Sequence, residues 1–199
     1  MAVKLSEGAE AVIYAVRIFG KNLVVKERRR KAYREEALYL SIRSSRTKKE
    51  AKLLLLARSS GAAVPAVVAY GKYSIYMQKL EGTLLRDMLK EAGLGLFELA
   101  GRQLAVLHRA GIAHGDFTPA NLLVSNGTVF VIDFGLASLS KDAEEFALDV
   151  LLMKRSISSE QYASFIAGYS DFERSDDVLR RLNEIELRGR YQKRTVANV

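Results

Sequence analysis

The chain has 199 residues, of which 49% are hydrophobic, and 31 Lys and Arg against 23 Asp and Glu give it a net charge of +8. That composition fits a water-soluble globular chain able to bury a core as one domain or two small lobes. It has no cysteine and only two histidines, His108 and His114, which excludes disulfide scaffolds, thiolate metal sites, cysteine nucleophiles and histidine-rich metal centres.

The first residues carry no apolar run of the kind a signal peptide needs. The apolar run Leu53 to Ala57 is far too short to span a bilayer. A cytoplasmic protein without a membrane span is expected. Strands are predicted at Ala11–Val16 and Leu23–Lys26, joined by a Gly20-Lys21-Asn22 turn. Helices are predicted over 33–43 and 46–58. In the second, Glu50, Leu53, Leu54 and Ala57 follow the i, i+3, i+4, i+7 spacing of one inward face. An acid on that face needs a partner, because an unpaired buried charge is expensive. Val67–Tyr70 and Tyr73–Met77 read as a further strand pair about Gly71-Lys72.

The pattern changes after Glu81-Gly82. Helices are predicted over Thr83–Ala92 and Leu96–Ala110, the second stopped by Gly111. Leu122–Val124 and Val129–Ile132 flank Asn126-Gly127, a strong hairpin signal because a type I′ turn needs positive φ at both central residues. Further helices are expected over 141–154, 159–167 and 176–186, followed by a basic, mobile tail from Leu187 to Val199. There is no internal repeat. The chain reads as α+β: a β-rich N-terminal lobe over 1–81, a hinge at Gly82 and a reduced helical C-terminal lobe over 82–186.

The positive charge is concentrated. Residues 26–58 hold 12 Lys and Arg against 4 acids, and residues 180–199 hold 6 against 2. Two basic blocks on a mildly acidic body suit a phosphate-backbone partner. Equally, basic helix faces can serve solubility alone.

Chemistry is concentrated in His114-Gly115-Asp116-Phe117-Thr118-Pro119-Ala120-Asn121, followed beyond the hairpin by Ile132-Asp133-Phe134-Gly135. Asp116 and Asn121 have the spacing of the kinase catalytic loop, and Asp133-Phe134-Gly135 is the D-F-G element. Phosphoryl transfer needs an acceptor for the nucleophile's proton and oxygen ligands for Mg²⁺ on ATP. Asp116 suits the first task, and Asn121 with Asp133 suits the second. Lys26, ending Val24-Val25-Lys26, matches the strand lysine that holds nucleotide phosphates. Glu50 is its natural ion partner, or else a capping-box glutamate reaching back to Thr47. Leu5-Ser6-Glu7-Gly8-Ala9-Glu10-Ala11-Val12, running on to Ile13, occupies the place of the glycine-rich loop, with one glycine instead of three. Met77 to Gly82 sits where an adenine-binding hinge belongs, with the Gln78 carbonyl and the Leu80 amide toward the base. Asp149 is read either as a brace for the catalytic loop or as a surface helix acid.

Together these residues resemble the protein-kinase superfamily, and more narrowly the small atypical kinase/ATPase subunits of the KEOPS complex. Gly8-Ala9-Glu10-Ala11, Lys31-Ala32-Tyr33-Arg34, Arg46-Thr47-Lys48-Lys49-Glu50-Ala51, His114-Gly115-Asp116 and Leu187-Arg188-Gly189-Arg190 look like that family's elements, in order. The resemblance implies a small bilobal kinase-like fold, ATP with Mg²⁺, ATP hydrolysis, and autophosphorylation on serine or threonine. It also implies partners: a tRNA threonylcarbamoyl-transferring subunit of ATPase fold, a small adaptor on the N-terminal lobe, and tRNA held through the basic regions. The alternative is a nucleotide-binding scaffold that docks tRNA and partners without turnover. Thr118 stands where serine/threonine kinases usually place a lysine, and no long activation loop follows Gly135, so poor phosphorylation of other proteins is expected.

Overall fold

The computed structural model describes residues 2–8, 10–29 and 36–196, without the side chains of 36–39 and 189–196. Ala9 and the Lys31-to-Arg34 element lie outside the described residues. The N-terminal part is a five-stranded antiparallel sheet of order β1-β2-β3-β5-β4. Its strands are β1 (Val3–Glu7), β2 (Ala11–Ile18), β3 (Lys21–Arg28), β4 (Val67–Tyr70) and β5 (Ser74–Gln78), with helix α1 (Glu36–Ser59) inserted between β3 and β4.

Several elements differ from the sequence expectation, each for a physical reason. β1 is not among the expected strands: its alternation, Val3-Lys4-Leu5-Ser6, covers only four residues, and all five residues of the strand are exposed. The β2–β3 turn is Phe19-Gly20, with φ of 48° and 75°, one step earlier than expected. This is the same doubly positive geometry that Asn126-Gly127 adopts at 48° and 75°, as type I′ turns require. The two helices expected around Ser44-Ser45 are one. Thr47 Oγ1 donates back to the Arg43 carbonyl at 2.9 Å, as a threonine inside a helix can, instead of capping a new one. That continuity removes the capping box between Thr47 and Glu50.

Gly82 is not followed by a helix. A Cβ at Gly82 would lie 2.2 Å from the Val124 carbonyl oxygen. This close approach lets β6 (Thr83–Leu84) pair with β8 (Leu122–Ser125), itself paired with β9 (Thr128–Val131). A short 3₁₀ turn (Leu85–Met88) follows β6. Helix α2 (Leu94–Arg109) crosses α4 (Ser159–Tyr169) through two glycines. A Cβ on Gly101 would meet the Phe165 carbonyl oxygen at 2.0 Å, and one on Gly168 would meet that of Glu98 at 2.0 Å. Helix α3 (Ala143–Lys154) is capped by Asp142, whose side chain accepts from the Glu144 N–H. Helix α4 begins with a Ser158/Gln161 capping box.

Helix α5 runs from Ser175 to Val196. The basic segment expected as a mobile tail therefore continues this helix. Arg181 and Arg188 pair with Glu144 of α3, and Lys154 with Glu186 at 2.7 Å, so part of that charge is spent on packing the helix.

One contiguous apolar cluster runs from Leu53, Leu54 and Ala57 of α1 through Phe97, Phe117, Phe134 and Phe165 to Val178 and Leu182 of α5. The sheet-rich and helical parts thus share a core, with a cleft between them. Among the described residues, no helix is long and apolar enough to cross a membrane.

Candidate active site

Strand β3 carries Lys26 into the cleft, paired in register with Ile13 of β2 and Ile75 of β5. Its ammonium bonds Glu50 Oε1 of α1 at 2.6 Å and Asp133 Oδ1 at 2.5 Å. Glu50, 2% exposed, gives its second oxygen to Arg28 at 2.6 Å. The sequence reading paired Glu50 with Lys26 and missed Arg28, whose alternation on β3 says nothing of a partner 22 residues away.

The cleft holds about 590 Å³, well within the range of sites for small organic ligands. Leu5, Ser6, Glu7 and Gly8 roof it, and Ile13 and Val24 form its inner wall. Met77, Gln78, Lys79 and Leu80 edge it at the crossing between the two parts. Its floor is Ala120, Asn121, Leu123, Ile132 and Asp133, and Lys26 and Glu50 close the inner end. Pro65, Leu84 and Arg86 also line it and were not foreseen; they come from segments without a motif. Glu10, Ala11, Val12 and Asp116 are not among the lining residues. Val12 is buried in the sheet, and Glu10 is engaged by Arg28 at 3.0 Å and Arg46 at 2.8 Å.

Asp116 stands beside the floor. The Asn121 amide donates to both its carbonyl oxygen (2.9 Å) and its carboxylate (2.8 Å). A short 3₁₀ turn at Pro119–Asn121 brings the two together, which is why five residues of spacing work. With its N–H groups spent on Asp116, the Asn121 side chain has its oxygen left for a cation.

Partial burial alone would raise the Asp133 pKa. The Lys26 ammonium and the Gly135 N–H outweigh it and hold that carboxyl below its usual value, so it is a carboxylate at neutral pH. Among the described residues, no three His, Asp or Glu side chains cluster to hold a metal ion. One carboxylate and one amide oxygen suit Mg²⁺, which keeps waters and takes phosphate oxygens rather than an all-protein cage.

The catalytic loop is held from behind. Asp149 of α3 is fully buried and accepts the backbone N–H groups of His114 (2.7 Å) and Gly115 (2.8 Å), which is the bracing reading. His108 Nε2 lies 3.2 Å from Asp149, and its Nδ1 lies 2.7 Å from the Tyr169 hydroxyl. His114 spans the loop and the strand before Asp133, with Nε2 3.2 Å from the Ile132 carbonyl oxygen. Gly115 has φ of 78°, and a Cβ there would lie 2.7 Å from the Leu136 carbonyl oxygen. Beyond Gly135, β10 (Ser138–Leu139) pairs at once with β7 (Ile112–Ala113). That ribbon takes the place of a long loop.

Comparison with known proteins identifies the family and the fold. The RIO-domain family pattern matches residues 11–155. The chain is 34% identical to the KEOPS complex subunit Bud32 of Pyrococcus abyssi, over 96% of this chain and 97% of that one. It is 37% identical to the "Probable serine/threonine-protein kinase BUD32 homolog" of Archaeoglobus fulgidus, over 96% and 98%. It is 35% identical to a "Probable bifunctional tRNA threonylcarbamoyladenosine biosynthesis protein" of Methanothermobacter thermautotrophicus, covering 94% of this chain and 36% of that protein. Among solved structures, the Rio2 kinase–ADP/Mg²⁺–phosphoaspartate complex from Chaetomium thermophilum superimposes with a TM-score of 0.62 at 19% identity, covering 97% of this chain and 72% of that one. That likeness shows a kinase-like fold.

Proposed function

The chain belongs to the Bud32 family of KEOPS subunits, within the RIO-domain, protein-kinase-like proteins, and from that premise we propose that it is an Mg-ATP-dependent phosphotransferase and ATP hydrolase. Its place is in a KEOPS assembly that supports threonylcarbamoyladenosine formation in tRNA. The observation that carries the chemistry is the meeting of Lys26, Glu50, Asn121 and Asp133 in one cleft with Asp116 beside its floor.

Lys26 holds the nucleotide phosphates, kept in place by Glu50. Bound Mg²⁺ would supply charge neutralisation between phosphates, with Asn121 and Asp133 as its protein ligands. Asp116 takes the proton of the attacking water or hydroxyl oxygen as that oxygen bonds the γ-phosphorus. The bond to the β-bridging oxygen breaks and ADP leaves. The apolar wall of Val24, Met77, Leu123 and Ile132 suits a planar base, with the Gln78 and Leu80 backbone at its edge.

Water or a serine of the assembly suits this site better than an extended peptide. The β7–β10 ribbon fills the ground where a peptide-holding loop would lie. The partners proposed are the threonylcarbamoyl-transferring subunit, the small adaptor and tRNA.

The test is release of free phosphate and formation of protein-bound phosphate from Mg-ATP, with and without tRNA and the partner subunits. Turnover that vanishes in Asp116→Ala while ATP still binds supports the reading. ATP binding without turnover under every condition would establish the alternative, a nucleotide-gated scaffold.

A further inference from the structure

Two cations flank Glu50, and only Lys26 has a task in phosphate binding. Arg28 is 5% exposed, and its Nε is buried without a hydrogen-bond partner among the described residues. Two buried cations around one carboxylate, with a donor left unmet, make a poor device for stability. Another role accounts for them better.

The two ends of the guanidinium reach different parts of the site. Nη2 holds Glu50 Oε2 of α1 at 2.6 Å, and Nη1 holds Glu10 Oε2 at 3.0 Å. Glu10 stands two residues after Gly8, the last residue of the cleft roof, whose N–H bonds the Ala11 carbonyl at 2.9 Å. The other oxygen of Glu10 is taken by Arg46 of α1 at 2.8 Å. Nη2 also reaches the turn after Asp133, where a Cβ on Gly135 would lie 3.6 Å from it. One side chain therefore ties the segment just after the roof to α1, close to the D-F-G turn.

We infer that Arg28 is a positioning residue: by gripping Glu10 and Glu50 together, it anchors the roof of the nucleotide cleft to α1. This rests on the nucleotide reading above. A guanidinium presents its donors in a fixed planar fork and can span two carboxylates, whereas an ammonium is a point donor. The roof has one glycine where kinase loops have three, so it closes less by backbone freedom and more by this ionic tie. Glu50, with both oxygens held, presents Lys26 in one geometry, and α1 cannot swing away without breaking the ties of Arg28, Lys26 and Arg46 together.

The experiment measures Mg-ADP affinity by calorimetry on the full chain, with ATP KM and kcat and melting temperature alongside. Glu10→Gln is expected to weaken Mg-ADP about fivefold, the factor that about 1 kcal/mol represents, and to raise KM in step. Arg28→Lys keeps a cation for Glu50 but cannot also reach Glu10, so it reproduces that loss. Adding Glu10→Gln to Arg28→Lys costs clearly less than the two losses multiplied, because only the tie of Glu10 to Arg46 is left for it to break. Arg28→Gln lowers kcat as well, since Glu50 is freed. Should Glu10→Gln and Arg28→Lys each bind Mg-ADP within about twofold of the unsubstituted protein, or should their effects multiply, the inference is overturned alone. Absence of Mg-ADP binding by the unsubstituted protein overturns the nucleotide reading with it.

Discussion

Asp149 Oδ1 accepts the backbone N–H of Gly115 at 2.8 Å, joining the middle of α3 to the residue just before Asp116. Its other oxygen serves His114 N–H and His108 Nε2. A fully buried carboxylate thus has three donors around it, which is the condition under which burying it is tolerable. Asp149→Asn replaces one acceptor oxygen by a donor facing donors. It should cost about 1–3 kcal/mol of stability and lower phosphate release, with Mg-ADP affinity retained; denaturant melts and calorimetry check the two parts.

Gly115 is fixed by conformation and by space. Its φ of 78° and the 2.7 Å approach to the Leu136 carbonyl oxygen leave no room for a side chain. Gly115→Ala should destabilise by about 1–3 kcal/mol and shift Asp116 relative to Asn121. Turnover then falls more than ATP KM changes, as steady-state kinetics on the folded variant would show.

The α2–α4 crossing depends on Gly101 and Gly168, since the atoms that an added methyl would meet are backbone and cannot rotate aside. Either glycine to alanine should lower stability by about 1–3 kcal/mol or more. Because each intrudes on the same interface, the double variant should be non-additive. Thermal melts of the three variants measure this.

Acid should lower the stability of the protein in two stages. Burial pushes the His108 pKa below its usual 6.5 against the opposing pull of Asp149, and burial does the same to His114. Below pH 6.5 the unfolded chain takes protons that the folded chain refuses, so stability falls as pH drops through and below that value. His108→Gln should remove part of this slope. For Glu10 and Asp133 burial opposes ionisation, but neighbouring cations hold both carboxyls below their usual 4.5 and 3.8. These groups stabilise above those values, and the second loss comes as pH falls below them. Urea titrations across pH follow both stages.

The basic block around α1 is not all available to a polyanion. Lys26, Arg28 and Arg43 are spent inside the protein, Arg43 on the Arg28 carbonyl and over the Tyr73 ring at 4.0 Å, and Arg46, though exposed, is paired with Glu10. Lys48, Lys49 and Lys52 are exposed. If α1 contacts tRNA, Lys48→Ala, Lys49→Ala and Lys52→Ala together should weaken binding and reduce the slope of log affinity on log salt by about 2–3, measured by filter binding.

Chemistry set by short spacings was legible in the sequence. Asp116 and Asn121 lie five residues apart and meet through a local turn. Asn126-Gly127 turns the hairpin that carries Asp133 by its own φ preferences, and the period of α1 put Glu50 on its inward face. Sequence pattern reports such features because backbone geometry over a few residues decides them. Arg28 as the second partner of Glu50, the strand after Gly82 and the helical course of residues 187–196 were decided elsewhere. Each depends on a group distant along the chain: Glu10 and Glu50 for Arg28, the Val124 carbonyl for Gly82, Glu144 for Arg181 and Arg188. Local pattern carries no record of which charge or carbonyl the fold will bring to 3 Å. That choice belongs to the shared core, which fixes α1 against the sheet and α5 against α3, and so selects which charges must pair.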